Sequence, residues 1–293
     1  MKEKNDFLID FFSKRRTTFF RGTLWFVVTI ISVLLIFNFP EKKQDFIAKI
    51  YIDDIIFNNN ELLDKLDNLS LQEDLKGILV NVNSPGGTVV GSQRIYRKLK
   101  SLGEKIPIVV SMQEVAASGG YMVSLAGDKI FCHHGTITGS IGVILQSASF
   151  QNLLQKLGID PIIIKSGKMK SSPNPLEKVD EETKSKIYTL VDDMYKDFLS
   201  LVIKSRNLNE SSIKAISDGS VFTGLQAINL NLVDFIGDEN DALEWLKKSA
   251  NLDNDVKVID IEKTKDIFNL FDLPKKTLKS FNGLFALWIP GYE

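Results

Sequence analysis

The sequence predicts an α/β domain whose sheet is largely parallel. Buried strand segments such as Gly77–Asn83 alternate with amphipathic helical segments such as Val89–Leu102. This alternation is typical of parallel strands joined by helices. From residue 47 onward no linker rich in Gly, Pro or Ser interrupts the pattern. We therefore expect one domain over residues 47–262, with a helical layer in its C-terminal part.

Each element follows from apolar periodicity and from the turn residues that flank it. The predicted strands are Ile47–Ile56, Gly77–Asn83, Ile106–Met112, Asp128–Cys132, Ile141–Leu145, Asp160–Lys165 and Val256–Ile261. The predicted helices are Glu61–Leu69, Val89–Leu102, Phe150–Leu157, Glu181–Arg206, Glu210–Asp218, Leu225–Leu230 and Asp238–Ala250. The tail, residues 263–293, alternates Lys with Phe, Leu and Trp, which suits a membrane surface, a neighbouring subunit or its own domain.

Composition narrows the classes of function. The 293 residues are 44% hydrophobic, which is enough to bury a full core, and the formal net charge is −1. A nucleic-acid binder needs a basic surface, so that class is excluded. The single cysteine, Cys132, cannot form an intrachain disulfide, and its apolar neighbours predict a buried thiol. No metal site and no cofactor are expected.

An apolar segment near the N-terminus predicts a membrane anchor. Residues 22–39 carry no charge over 18 positions, about the length needed to span a thin bilayer. Lys14, Arg15, Arg16 and Arg21 precede the segment, so residues 1–21 are placed in the cytoplasm. No small-x-small cleavage site follows, which favours a retained anchor over a signal peptide, and a core helix is the alternative. Residues 40–46 then form a linker.

Ser118 is the candidate nucleophile. It lies in Ala116-Ala-Ser-Gly-Gly-Tyr, where a predicted strand turns into a helix. The two following glycines allow a substrate carbonyl to approach the backbone N–H groups. The alternative is that Ser118 is only the N-cap of that helix.

A serine nucleophile needs a base, and two kinds of residue are candidates. His133 and His134 follow a strand directly, but no orienting carboxylate lies near them in sequence, so a turn role is favoured. The alternative is one of Lys165, Lys168 and Lys170, whose ε-amine would have to be neutral to accept the serine proton. Residue patterns alone do not choose among the three lysines.

The N–H groups that would stabilise the negative charge of the reaction intermediate are predicted at the end of another strand. Asn83-Ser-Pro-Gly-Gly-Thr leaves the N–H groups of Gly86 and Gly87 uncovered by side chains. One of them would pair with the N–H of Gly119 as an oxyanion hole. A simple tight turn is equally compatible with Pro-Gly-Gly.

Taken together, five stretches resemble the signal peptide peptidase A family of membrane-anchored Ser-Lys proteases, in its short bacterial form. The stretches occur in the family's order and span residues 47–250. They are Val82-Asn-Ser-Pro-Gly-Gly, Ala116-Ala-Ser-Gly-Gly-Tyr, Gly135-Thr-Ile-Thr-Gly-Ser-Ile-Gly-Val, Ile164-Lys-Ser-Gly-Lys-Met-Lys-Ser-Ser-Pro and Asp218-Gly-Ser-Val-Phe-Thr-Gly-Leu-Gln-Ala.

The resemblance implies specific roles. Ser118 aligns with the nucleophile, Lys170 with the general base, and Ser140 with a serine that orients the lysine amine. Gly86 or Gly87, with Gly119, would form the oxyanion hole. Two departures, Leu225 where an arginine is common and Asn174 after the Ser-Pro turn, concern substrate preference or subunit contacts and not the chemistry.

The resemblance also implies an architecture and a setting. The expected fold is a superhelix of repeated ββα units, like the caseinolytic protease subunit and the crotonases, preceded by one transmembrane helix. The expected function is a serine endopeptidase in a homo-oligomeric ring on the bacterial inner membrane, with its catalytic domain outside the cytoplasm. It would cleave signal-peptide remnants and other unfolded hydrophobic peptides. A crotonase-like acyl-CoA enzyme and a non-catalytic membrane-tethered peptide scaffold are the alternatives.

Overall fold

The computed structural model describes residues 25–30, 44–261 and, for the backbone only, 285–287. The chain divides into two compact units, Met1–Gln44 and Asp45–Glu293. In the first unit residues 25–30 are helical and exposed, and the rest of the predicted anchor and cytoplasmic segment lies outside the described residues. Within the described residues no helix combines the length and the apolarity that crossing a bilayer requires.

The second unit begins with alternating strands and helices, as the sequence predicts. Its strands are β1 (Phe46–Ile56), β2 (Leu75–Thr88), β3 (Ile108–Ala117), β4 (Lys129–Cys132), β5 (Ile137–Gly139), β6 (Val221–Thr223), β7 (Phe235–Ile236), β8 (Lys257–Asp260) and β9 (Phe285–Leu287). Its helices are α1 (Asn60–Leu69), α2 (Val89–Gly103), α3 (Gly119–Ser124), α4 (Gln151–Lys156), α5 (Glu181–Ser205), α6 (Glu210–Ile216), α7 (Gly224–Asn229) and α8 (Glu239–Ser249).

One mixed sheet organises this unit, and its central pairings are parallel. The strand order is β6-β5-β3-β2-β1-β8, with β4 joining β3 to β7. Only β5–β6 and β2–β9 pair antiparallel among the described strands. The predicted α/β class with a largely parallel sheet is therefore confirmed.

The sheet has a core on each face. The larger core places Leu66 of α1, Leu99 of α2 and Tyr121 of α3 against buried strand residues such as Val80. On the opposite face α8 packs Leu246 against a row of strand side chains. That row comprises Ile47, Leu79, Val109 and Phe131. Burial on both faces makes the central strands a rigid support for the loops at their carboxyl ends.

Two predicted strands are wrong. The strand expected at Ile141–Leu145 lies earlier, at Ile137–Gly139, because Ser140 adopts φ +50° and turns the chain away from the sheet. Residues 160–165 form no strand, although Ile162 and Ile164 alternate with other residues. A strand needs a neighbour for its backbone hydrogen bonds, and no described strand pairs with this segment. Ile162 and Ile164 are instead 89% and 94% exposed.

The C-terminal tail contributes one element to the sheet. Phe285–Leu287 pair antiparallel with Thr88–Gly86 at the end of β2. The pairing of β2 with β3 ends before these residues, because its last pair joins Ser84 to Ala116. This part of the tail therefore associates with its own domain.

Candidate active site

Ser118 occupies a strained turn between β3 and α3. Its backbone adopts φ +53° and ψ −115°, a region that side-chain-bearing residues rarely enter. The Ser118 N–H donates to the Gly139 carbonyl at 2.8 Å, and the Ser118 carbonyl accepts from the Met122 N–H at 2.9 Å. Both backbone groups are thus held, and the turn is fixed from the β5 side and from the helix side.

The Ser118 hydroxyl does not cap the helix. Ser118 is at the N-cap position of α3, yet its side chain makes no capping hydrogen bond. Its Oγ is buried and has no hydrogen-bond partner within the described residues. The alternative that Ser118 serves only as a cap is therefore wrong, because a capping serine accepts a hydrogen bond from the first turn.

The glycines of β2 lie directly beside the Ser118 turn. A Cβ placed on Gly119 would lie 3.1 Å from Gly87 N and 3.2 Å from the Gly86 Cα. The Gly86 N–H already donates to Ser84 Oγ at 3.1 Å. Of the two candidate glycines, Gly87 is the one whose backbone nitrogen lies nearest that position, within the stretch Gly86–Thr88 that also pairs with β9.

The close approach explains why glycines occupy this place. A Cβ on Gly87 would lie 1.8 Å from the carbonyl oxygen of Ile56, in the neighbouring strand β1. A Cβ on Gly119 would lie 2.3 Å from Ser92 Oγ. Neither site accepts a side chain without moving a neighbour, so glycine at both positions allows the backbone of β2 to lie close to the start of α3.

Ser140 lies one residue beyond the hydrogen bond that holds Ser118. Gly139 accepts from Ser118, and the next residue, Ser140, donates its own N–H to the Ser220 carbonyl at 2.8 Å. Ser140 is half-buried and has φ +50°. The structure thus connects two of the predicted motifs, Ala-Ala-Ser-Gly-Gly and Thr-Gly-Ser, through the pairing of β3 with β5 and the hydrogen bond that extends it.

The three candidate lysines differ in their partners. Lys165 forms an ion pair with Glu177, and Lys168 contacts Asp180 at 2.7 Å and Glu182 at 2.6 Å. The hydrogen bonds that Lys168 donates to these two carboxylates raise its pKa, which is the opposite of what a base requires. Lys170 is exposed, and its backbone N–H donates to the Gly167 carbonyl at 3.0 Å.

The structure does not join Lys170 to Ser118 in one chain. Since Ser118 Oγ has no hydrogen-bond partner in the described residues, neither a lysine nor a histidine forms a hydrogen bond with it there. His133 and His134 are exposed after β4, where the His133 N–H donates to Thr136 Oγ1 at 3.0 Å. Both therefore belong to a turn in this structure.

Sequence patterns missed one residue of this site. Ser92, in the first turn of α2, is fully buried, and its Oγ also has no hydrogen-bond partner among the described residues. A serine on an amphipathic helix carries no signal of its own. Only the contact between α2 and α3 reveals it.

Comparison with known proteins identifies the family. The sequence profile of peptidase family S49 matches residues 100–253, which is more than half of the chain. A protein of Methanocaldococcus jannaschii assigned as a protease is 36% identical over 79% of this chain and 71% of its own length. A protein of Enterococcus faecium assigned as signal peptide peptidase SppA is 38% identical over 70% of this chain and 59% of its own.

Among solved structures, a variant of ClpP1 from Listeria monocytogenes aligns with a TM-score of 0.43 at 18% identity, covering 67% of this chain and 94% of that one. The matched part of the chain covers about seven tenths of the length of the Methanocaldococcus relative and about three fifths of the length of the Enterococcus relative. The profile match and the 36% identity over most of both sequences carry the assignment. The chain belongs to peptidase family S49 and, within it, to the signal peptide peptidase A family.

Proposed function

We propose that this chain is a serine endopeptidase in which Ser118 is the nucleophile. The observation that carries the proposal is the Ser118 hydroxyl, which is buried, without a hydrogen-bond partner in the described residues, and held on a strained turn at the start of α3. Strained residues persist where surrounding structure enforces them, and they concentrate at functional sites. Family membership supports the same chemistry.

The proposed oxyanion hole consists of the N–H groups of Gly87 and Gly119. Gly87 N lies 3.1 Å from the position of a Cβ on Gly119, and Gly119 itself places no side chain in front of it. Backbone donors fixed by a sheet and by a helix N-terminus stabilise a developing negative charge without having to reorient. The Gly86 N–H, which donates to Ser84 Oγ, then has a supporting role in shaping the turn.

The proposed base is Lys170, supplied by a second copy of the chain. Lys165 and Lys168 are engaged by carboxylates, whereas Lys170 is exposed and forms no hydrogen bond with Ser118 Oγ within one chain. The surrounding segment exposes large apolar side chains that a neighbouring subunit would cover. They are Ile144, Leu153, Leu157, Ile159, Ile162 and Ile164. Burial by that subunit would favour the neutral amine, and Ser140 would orient it.

The reaction that follows is acyl transfer in two steps. Neutral Lys170 accepts the Ser118 proton while Oγ bonds to the peptide carbonyl carbon, and the carbonyl oxygen takes up the electron pair as an oxyanion. The oxyanion collapses, the C–N bond breaks, and the lysine ammonium protonates the leaving amine. Water then attacks the ester carbonyl, giving its proton to Lys170, and the departing Ser118 oxygen recovers a proton from the same ammonium.

We also propose a membrane setting for this activity. Residues 22–39 carry no charge, and the six described positions within them are helical and exposed. Cations precede the segment, which supports a cytoplasmic N-terminus and a catalytic domain on the outer side of a bacterial inner membrane. Signal-peptide remnants and other unfolded hydrophobic peptides are the proposed substrates, as the printed name of the Enterococcus relative suggests.

The test of nucleophile, base and assembly uses two inactive variants. Full-length protein in detergent is assayed with a chromogenic peptide ester as wild type, Ser118→Ala, Lys170→Ala, and a co-expressed mixture of the two variants. We expect each variant alone to lose activity and the mixture to recover part of it, since one interface in the mixed assembly joins intact Ser118 to intact Lys170. Lys168→Ala is the matched control and should stay active.

Three outcomes would contradict these proposals. Full activity of Ser118→Ala or of Lys170→Ala would exclude the dyad. A site shared between subunits would be excluded if the mixture stayed as inactive as the single variants while mass measurement showed that mixed oligomers form. For the membrane, accessibility of a cysteine introduced at residue 8 to a membrane-impermeant maleimide on intact cells would overturn the proposed orientation.

A further inference from the structure

The structure describes a second buried hydroxyl beside the candidate nucleophile. Three buried side-chain polar atoms in the described residues have no hydrogen-bond partner, and two of them are Ser92 Oγ and Ser118 Oγ. A buried hydroxyl without a partner destabilises a fold, so such groups call for an explanation. That two of the three lie next to one glycine, Gly119, points to a shared cause.

The position of Ser92 Oγ is set by the contact of α2 with α3. The place that a Cβ on Gly119 would occupy lies 2.3 Å from Ser92 Oγ and 3.1 Å from Gly87 N. Ser92 Oγ and Gly87 N therefore lie around the same position beside the Gly119 Cα. The third atom without a partner, Asn81 Oδ1, belongs to a side chain whose amide donates to Glu239, on the face of the sheet that carries α8.

The start of α2 holds Ser92 rigidly. Thr88 is the N-cap of α2, and its Oγ1 accepts a hydrogen bond from the Gly91 N–H at 3.2 Å. A Cβ on Gly91 would lie 2.6 Å from Thr88 Oγ1 and 2.7 Å from the Phe57 carbonyl oxygen, so the first turn packs closely against the chain that follows β1. A donor fixed in this way needs no reorganisation when charge develops beside it.

We infer that Ser92 is a catalytic residue whose hydroxyl donates a third hydrogen bond to the oxyanion, beside the N–H groups of Gly87 and Gly119. This inference rests on the proposed serine peptidase function. It accounts for the absence of a partner in the free chain, because the partner is the negative oxygen that exists only during the reaction. An interaction made in the transition state and not in the ground state lowers the barrier without tightening substrate binding.

The test compares Ser92→Ala with wild type in the full-length protein. We expect kcat for a chromogenic peptide ester to fall about 100-fold with KM changed less than about threefold, since the substitution removes only an oxyanion donor. A peptide aldehyde, which forms a tetrahedral hemiacetal with a serine hydroxyl, should bind more weakly by a similar factor. The Tm should stay the same or rise, because a buried hydroxyl without a partner disappears.

Ser212→Ala is the matched control, since Ser212 is also a buried serine in the first turn of a helix, α6. Its kcat should equal that of wild type. Ser92→Cys, which keeps a weak donor, should lie between wild type and Ser92→Ala in both kcat and aldehyde affinity.

The outcomes separate this inference from the proposed function. An active wild type with an equally active Ser92→Ala variant overturns the role of Ser92 alone. A loss of kcat that accompanies a lower Tm and an unchanged aldehyde affinity also overturns it, because that pattern indicates a structural defect. A wild type that never hydrolyses the ester and never binds the aldehyde overturns the proposed function, and the inference with it.

Discussion

The N–H of Ser118 donates a hydrogen bond to the carbonyl oxygen of Gly139 at 2.8 Å. This bond extends the pairing of β3 with β5, which joins Val115–Ala117 to Ile137–Gly139. The chain must leave the sheet at the next step to begin α3, so the whole change of direction falls on Ser118, which adopts φ +53°. The strain at Ser118 is therefore a consequence of a strand that stays paired up to the residue at which the helix begins.

Replacement of Ser118 by glycine should stabilise the fold more than replacement by alanine does. Both changes remove the unpaired hydroxyl, but only glycine enters φ +53° without steric cost. After allowance for the greater freedom of glycine in the unfolded chain, Ser118→Gly should be more stable than Ser118→Ala by about 1 kcal/mol. Urea denaturation of the two inactive variants measures the difference.

Both variants lack the hydroxyl, so the difference between their free energies of unfolding reports only the effect of the backbone conformation at residue 118. A Ser118→Ala variant that is as stable as Ser118→Gly or more so would show that the turn relaxes in solution. In that case the strained geometry would not explain the position of the nucleophile.

Gly119 and Ser92 should show strong energetic coupling. Gly119→Ala places a Cβ 2.3 Å from Ser92 Oγ, and overpacking of this kind costs roughly 1–3 kcal/mol. Ser92→Ala removes the oxygen that the new methyl group would strike. The double variant should therefore be more stable than the sum of the single effects predicts, by about 1 kcal/mol or more.

Gly103→Ala serves as the control for the coupling measurement. It ends α2, and a Cβ there would meet its nearest neighbour, Ile108 Cδ1, at 3.5 Å, an ordinary contact. Its effect on the free energy of unfolding should be small and should add to that of Ser92→Ala. Additive effects for Gly119→Ala and Ser92→Ala would contradict the described contact between α2 and α3.

Local patterns predicted most of the fold because they report on local structure. Apolar runs marked the strands through β4, and the helix between each pair of consecutive strands favoured parallel pairing. The prediction failed for residues 160–165 because Ile162 and Ile164 alternate as strand residues do, whereas strand formation also requires a neighbour in space. The two-residue strand β7 was missed because it is too short to show any period.

The candidate site was likewise predictable only where its residues carry a local sequence signal. Ser118 and the glycines carry a local signal, since small residues at the ends of strands mark close backbone approach. The choice among three lysines depends on Glu177, Asp180 and Glu182, whose contacts exist only in the folded chain. Ser92 depends on how two helices cross. Neither determinant is encoded in a short stretch of sequence.

Cys132 should resist alkylation in the folded protein. It is fully buried in β4, and burial raises its pKa to about 11 because the thiolate loses hydration. At pH 8 the reactive thiolate is therefore scarcer than in an unfolded chain by roughly a hundredfold. Iodoacetamide labelling followed by mass spectrometry should be slow in buffer and fast in urea. Equal rates would contradict the described burial.

The ion pair of Arg206 and Asp234 should make stability fall in acid. Arg206 Nη1 donates to Asp234 Oδ2 at 2.8 Å, where the end of α5 meets the chain before β7. Burial by itself would raise the pKa of Asp234, but the guanidinium and the Ile130 N–H together lower it below its ordinary value. The stability that these hydrogen bonds to the Asp234 carboxylate contribute is therefore fully present at any pH above the ordinary carboxyl pKa.

Lys129 Nζ also lies 3.2 Å from Asp234 Oδ1. This stabilisation should be lost as the pH falls through the lowered native pKa of Asp234, because the protonated side chain no longer attracts the Arg206 and Lys129 cations. Asp234→Asn should reduce the free energy of unfolding at pH 7 by about 2–3 kcal/mol, since hydrogen bonds to a charged group are lost. Glu244→Gln is the control, because its contact with Lys248 is exposed and 3.8 Å long. Urea denaturation from pH 7 to pH 3 should show wild type converging on Asp234→Asn, whereas a constant difference between them would exclude the pair as the cause.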